Sequence, residues 1–109
     1  MQKLFAYGTL RDPDVQENLF GRILHGIPET LIGYELDQIR IEEEFGIEYY
    51  PIIIETNDPN DTISGILYEI SMKELHQADL YEGSHYKRVE VLLQSNQKAW
   101  AYCHLETIS

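Results

Sequence analysis

The segment Asp79-Leu80-Tyr81-Glu82-Gly83-Ser84-His85-Tyr86 sets a carboxylate beside a glycine where a helix is expected to stop. A carboxylate at such an exit works as a general acid or base when its surroundings bring its pKa toward neutrality. Gly83 leaves little bulk between Glu82 and a bound molecule. The structural alternative is a solvated carboxylate, which the negative end of the helix dipole disfavours by a small amount. On this segment alone the two readings are level. A second segment, Phe5-Ala6-Tyr7-Gly8-Thr9-Leu10, takes an apolar strand into a small polar turn. Successive N–H groups at Gly8, Thr9 and Leu10 can there face an anion or a carbonyl oxygen, with the Thr9 hydroxyl as a further donor. Alone, that segment reads more readily as a plain strand-ending turn.

Other reactive side chains lack partners in sequence. His25, His76, His85 and His104 show no ligand spacing and share no pattern with Cys103, so neither a metal nor another cofactor is expected. His85 adjoins the Glu82 loop and reads as a solvated histidine with access to a substrate. Cys103 is the single cysteine, which rules out an intramolecular disulfide, and it sits in a strand-like run that suggests core packing. Arg88 is expected to pair with Glu90 or another carboxylate, and Asp79 to brace the loop after the helix.

These residues must be positioned by a small scaffold. With 109 residues, 43% of them hydrophobic, the chain fits one compact domain spanning 1–109. Eight Lys and Arg against nineteen Asp and Glu give a net charge of −11, a field that repels nucleic acid and anionic membranes. Glu42-Glu43-Glu44, the only acidic run, reads as a solvated loop. With no leader and no membrane-length apolar run in view, a soluble cytoplasmic protein is expected.

Lys3 to Tyr7 reads as a strand, and Asp12-Pro13-Asp14 as an N-cap with Pro at the first helical position, opening a short helix from Asp14 to Phe20. Arg22 to Leu36 suggests short or bent strands. Tyr49 to Thr56 and Ile63 to Ile70, joined by Asn57-Asp58-Pro59-Asn60-Asp61, suggest a hairpin. Ser71 with Glu74 forms a capping-box pattern that opens a helix over Met72 to Tyr81. Tyr86 to Gln94 and Lys98 to Leu105 form a second predicted hairpin. The sum is an α+β domain: a small, mixed, mostly antiparallel sheet expected to curl into a β-barrel, with short flanking helices.

In order and spacing, the segments Leu4 to Leu10, Tyr50-Pro51, Ile63 to Ile70, Leu80 to Gly83, Tyr86 to Val89 and Ala99 to Tyr102 resemble the gamma-glutamylcyclotransferase-like superfamily. The resemblance implies a small barrel whose cavity takes a γ-glutamyl amide. Tyr7, Gly8, Thr9 and Leu10 would receive the γ-glutamyl group, Glu82 would act as general acid/base, and Tyr86 would hold the substrate or orient Glu82. The implied reaction is an internal aminolysis that releases 5-oxoproline and an amine or amino acid, without a cofactor. Nucleophile and electrophile share one molecule, so the protein need only fold the substrate into an attack geometry. Such a base must be lifted from about 4.3 by burial or by a like charge such as Asp79. Ile52-Ile53-Ile54 stands where related chains often have glycine or alanine, which suggests that this side of the cavity is narrowed or reshaped. The alternative is a noncatalytic small-molecule binding module that keeps the cavity.

Overall fold

The computed structural model describes residues 1–104. The elements run β1 (Gln2–Ala6), a 3-10 turn (Thr9–Arg11), α1 (Pro13–Phe20), β2 (Gly26–Ile32), β3 (Tyr34–Glu43), β4 (Gly46–Glu55), β5 (Thr62–Ile70), α2 (Met72–Glu82), β6 (Tyr86–Leu92) and β7 (Lys98–His104). Five strands form one sheet in the order β2-β5-β1-β7-β6, and β3 and β4 form a separate two-stranded ribbon. Within the sheet β1 and β7 are parallel, and the other neighbours pair antiparallel.

The central strand β1 is apolar on both faces because both are covered. Phe5 joins Leu31, Ile63, Leu67, Val91, Ala101 and Cys103 in one core, to which β4 of the ribbon adds Ile53. Leu4 and Ala6 face the other way, against Leu75 and Ala78 of α2 and Leu24. The alternation follows from the period of two along a strand.

The sheet curls without closing into the expected barrel. Its edge strands meet through the Leu31–Leu93 bridge and the Gln94 N–H on the Thr30 carbonyl (2.9 Å), a junction too short to continue as a ladder. The expected hairpin between the Ile52-Ile53-Ile54 strand and the Ile63 strand is also corrected. β4 pairs with β3, whereas β5 already has β2 and β1 on its two edges. The turn after Asn57 forms, but it carries the chain from the ribbon to the sheet. Gly33 (φ 86°) is the pivot: its N–H donates to the Asp61 carbonyl and its own carbonyl accepts from Thr56 and Asn57. A positive φ is favourable for glycine and costly for most side chains. The Glu42 to Glu44 run is not a separate loop either, since β3 continues through Glu43 before the chain turns. The β6–β7 hairpin pairs as expected, with Leu105 outside the described residues.

Both helices begin at the predicted caps. Asp12 accepts the Asp14 N–H ahead of Pro13, and Ser71 and Glu74 form a reciprocal capping box. Glu74 also takes a two-pronged contact from Arg22, at 2.8 and 2.9 Å. That hydrogen bonding, with the Ser71 N–H, holds the Glu74 carboxyl down at about 2 against the opposition of burial. Its contribution is present above the ordinary carboxylate pKa and is lost as acid approaches the folded value. Glu74→Ala is expected to cost about 1–2 kcal/mol, mostly from the lost cap because Arg22 is half exposed. Denaturant melts at neutral pH check this, and the difference from wild type should shrink toward pH of about 2.

Candidate active site

A cavity of about 390 Å³ opens where the end of β1, the end of α2, and strands β4, β6 and β7 converge. All six residues singled out from the sequence line it: Tyr7, Gly8, Thr9, Leu10, Glu82 and Tyr86. The N–H groups of Arg11 and Asp12 bond back to the Gly8 and Thr9 carbonyls. Those of Gly8, Thr9 and Leu10 have no backbone partner in that turn among the described residues. A 3-10 turn leaves its first donors free for such reasons. A Cβ at Gly8 would meet Pro51 at an ordinary 3.6 Å, so glycine is not required there by a clash and leaves that wall open.

Glu82 is the last residue of α2, and Gly83 stops the helix with φ 77° and an N–H bonded to the Asp79 carbonyl (3.1 Å). The carboxyl is half-buried and lifted to about 7. Burial accounts for this, and the like charge of Asp79 expected from the sequence is not among the causes. Asp79 is engaged elsewhere, by the Tyr102 hydroxyl at 2.7 Å and by Arg88 Nε at 3.6 Å. The carboxylate suspected of raising Glu82 is thus a partner of β6 and β7, and of the carboxylates open to Arg88 it is Asp79 that pairs with it, while Glu90 faces Lys98.

Three hydroxyls are occupied in ways the residue types did not reveal. Tyr7 donates to the Tyr102 carbonyl, tying the end of β1 to β7, and burial pushes its phenol far above the ordinary range. Tyr86 donates to the Pro51 carbonyl at 2.8 Å and so bonds the ribbon, not Glu82. Its phenol is pushed up to about 12, first by burial and then by the nearby Glu82 charge. Thr9 shares a hydrogen bond of 2.8 Å with Tyr81. His85 stacks on His104, with ring centroids 6.1 Å apart, and is not part of the cavity wall.

The structure adds Tyr49, Tyr50, Pro51, Tyr81 and Tyr102 to the wall. Tyr50, Pro51, Tyr81 and Tyr102 lie in segments that carry the family resemblance and Tyr49 in a predicted strand, but nothing local to them says which side chains converge. Ile52 and Ile53 are buried outside the cavity wall, Ile53 in the core, so the isoleucine run does not itself narrow the space. Among the described residues no three His, Cys, Asp or Glu side chains gather as a metal site, and no helix is long and apolar enough to cross a membrane.

The site is thus an open cavity whose wall holds one burial-shifted carboxyl, Glu82, and the Gly8 to Leu10 turn. The chain belongs to the family described as gamma-glutamyl cyclotransferase, AIG2-like, whose model matches residues 4–108. It is 29% identical to AIG2-like protein B of Arabidopsis thaliana over 101 residues, covering 90% of this chain and 54% of that one. The chain spans about half the length of the curated relatives it matches. Among solved structures, an Arabidopsis thaliana protein determined in solution matches with a TM-score of 0.74 at 24% identity, over 99% of this chain and 64% of the other. A structure named gamma-glutamyl cyclotransferase matches at 0.69 and 18% identity, over 94% and 66%. These structural likenesses speak for the shared fold.

Proposed function

We propose that the protein is a gamma-glutamyl cyclotransferase that needs no cofactor and converts a small γ-glutamyl amide into 5-oxoproline and a free amine or amino acid. The observation that carries the reading is Glu82, a carboxyl lifted to about 7 by burial in the cavity wall. A group poised near neutrality both accepts and returns a proton.

In the proposed reaction Glu82 takes a proton from the substrate α-ammonium. The freed amine attacks the γ-carbonyl carbon, forming the ring C–N bond and an oxyanion. Collapse of the oxyanion breaks the original amide C–N bond as the leaving nitrogen is protonated. Overall two protons pass from the α-nitrogen to the leaving nitrogen, so Glu82 ends as it began. The N–H groups of Gly8, Thr9 and Leu10 are the candidate donors for the oxyanion or the α-carboxylate. Tyr7 and Tyr86, with their hydroxyls spent on backbone carbonyls, would contribute ring surface and hold the walls apart.

The test is incubation with a panel of γ-glutamyl amides while 5-oxoproline is measured. Binding of an amide without any turnover would favour the noncatalytic module. Because the base must be ionised to start the reaction, kcat/KM is expected to rise with pH through about 7. An ascending limb near the ordinary carboxylate pKa would contradict the role given to burial.

A further inference from the structure

We propose that Asp79 is a positioning residue for the proposed cyclisation, holding the last turn of α2 so that Glu82 stays over the cavity; this rests on the role assigned to Glu82. The apolar anchors of α2 come early: Leu75 and Ala78 are buried, and no buried apolar side chain follows Ala78. Leu80 is 83% exposed and Tyr81 is 42% exposed. A final turn without such an anchor frays, because helix ends in proteins are stabilised mainly by packing. Here polar contacts replace it.

Asp79 accepts the Tyr102 hydroxyl at 2.7 Å and pairs with Arg88 Nε at 3.6 Å. The Arg88 guanidinium lies 4.5 Å from the centre of the Trp100 ring, so the clamp is itself seated on β7. Tyr102 in turn accepts the Tyr7 hydroxyl on its carbonyl. One connected path therefore joins the helix turn bearing Glu82 to the end of β1 that carries the free N–H groups. Arg88 Nη1 is buried and finds no acceptor among the described residues, a cost that an arrangement optimised for stability alone would avoid. An Asp in the last turn also opposes the helix dipole. Its placement makes sense as a tether.

The experiment compares wild type, Asp79→Ala, Tyr102→Phe and the double variant in the 5-oxoproline assay, together with hydrogen exchange at the Gly83 amide, which bonds the Asp79 carbonyl. Asp79→Ala is expected to lower kcat by about 10- to 100-fold with KM within about twofold, the signature of a misplaced catalytic group. Gly83 exchange should quicken, while the melting temperature changes little because the dipole clash is relieved. The double variant should lose no more than the worse single one, since the Tyr102 hydroxyl acts through Asp79. Wild-type Gly83 exchange in Asp79→Ala overturns the proposal whatever the enzyme's activity. So does unchanged kcat, a loss confined to KM, or multiplying losses in the double variant. Failure of the wild type to form 5-oxoproline would instead sink the functional reading, and the exchange result separates the two.

Discussion

Glu82→Gln is expected to slow 5-oxoproline formation by about 10²–10⁴-fold, the usual range for loss of a general acid or base. The substitution keeps the shape of the side chain and removes only its ability to carry a proton. KM should stay within a few-fold, because the substrate's γ-glutamyl contacts are assigned to the Gly8 to Leu10 turn. Steady-state kinetics on a turned-over γ-glutamyl amide, with circular dichroism to verify folding, decides the matter. Unchanged turnover would remove Glu82 from the mechanism. The rising limb of the pH profile near 7 should also vanish in any residual activity, since burial of this one carboxyl creates it.

The same variant is expected to be more stable than wild type in mildly alkaline solution. Burial lifts the Glu82 carboxyl from its ordinary 4.5 to about 7, so between those values the folded state holds more protons than the unfolded state. Stability from this group is then greatest below the unfolded value and falls as pH rises through the folded one. The full loss is on the order of 3 kcal/mol, with solvent access to the half-buried carboxyl reducing it. Urea melts should show Glu82→Gln gaining over wild type at pH of about 8 and little difference near pH 4. Equal stabilities at both would mean that the carboxyl is solvated. Activity and stability would thus pull in opposite directions at one residue, as is common where a charged group is held in a low-dielectric site.

Much of the local structure was legible because short-range rules govern it. Asp12-Pro13 and the Ser71/Glu74 pair start helices through bonds to neighbours within three residues, and Gly83 ends one by tolerating a positive φ. The last hairpin is local too, since only a short turn with Asn96 at positive φ separates Leu92 from Lys98. The cavity residues Tyr7 to Leu10 and Glu82 were also readable, as two segments whose residue types make sense only together.

What the chain alone determined, then, was where both helices and the last hairpin form, and which carboxylate and which turn line the cavity. Tertiary structure alone decided the partners. β4 reads as well beside β5 as beside β3 in one dimension, and the choice followed from which edges of β5 were already filled. Asp79 looked like a like-charge neighbour of Glu82, yet Tyr102 and Arg88, brought in by strands late in the chain, claim it. The pKa of Glu82 belongs to the same level. Desolvation depends on which atoms crowd the carboxyl, and those come from segments that meet only when the sheet curls.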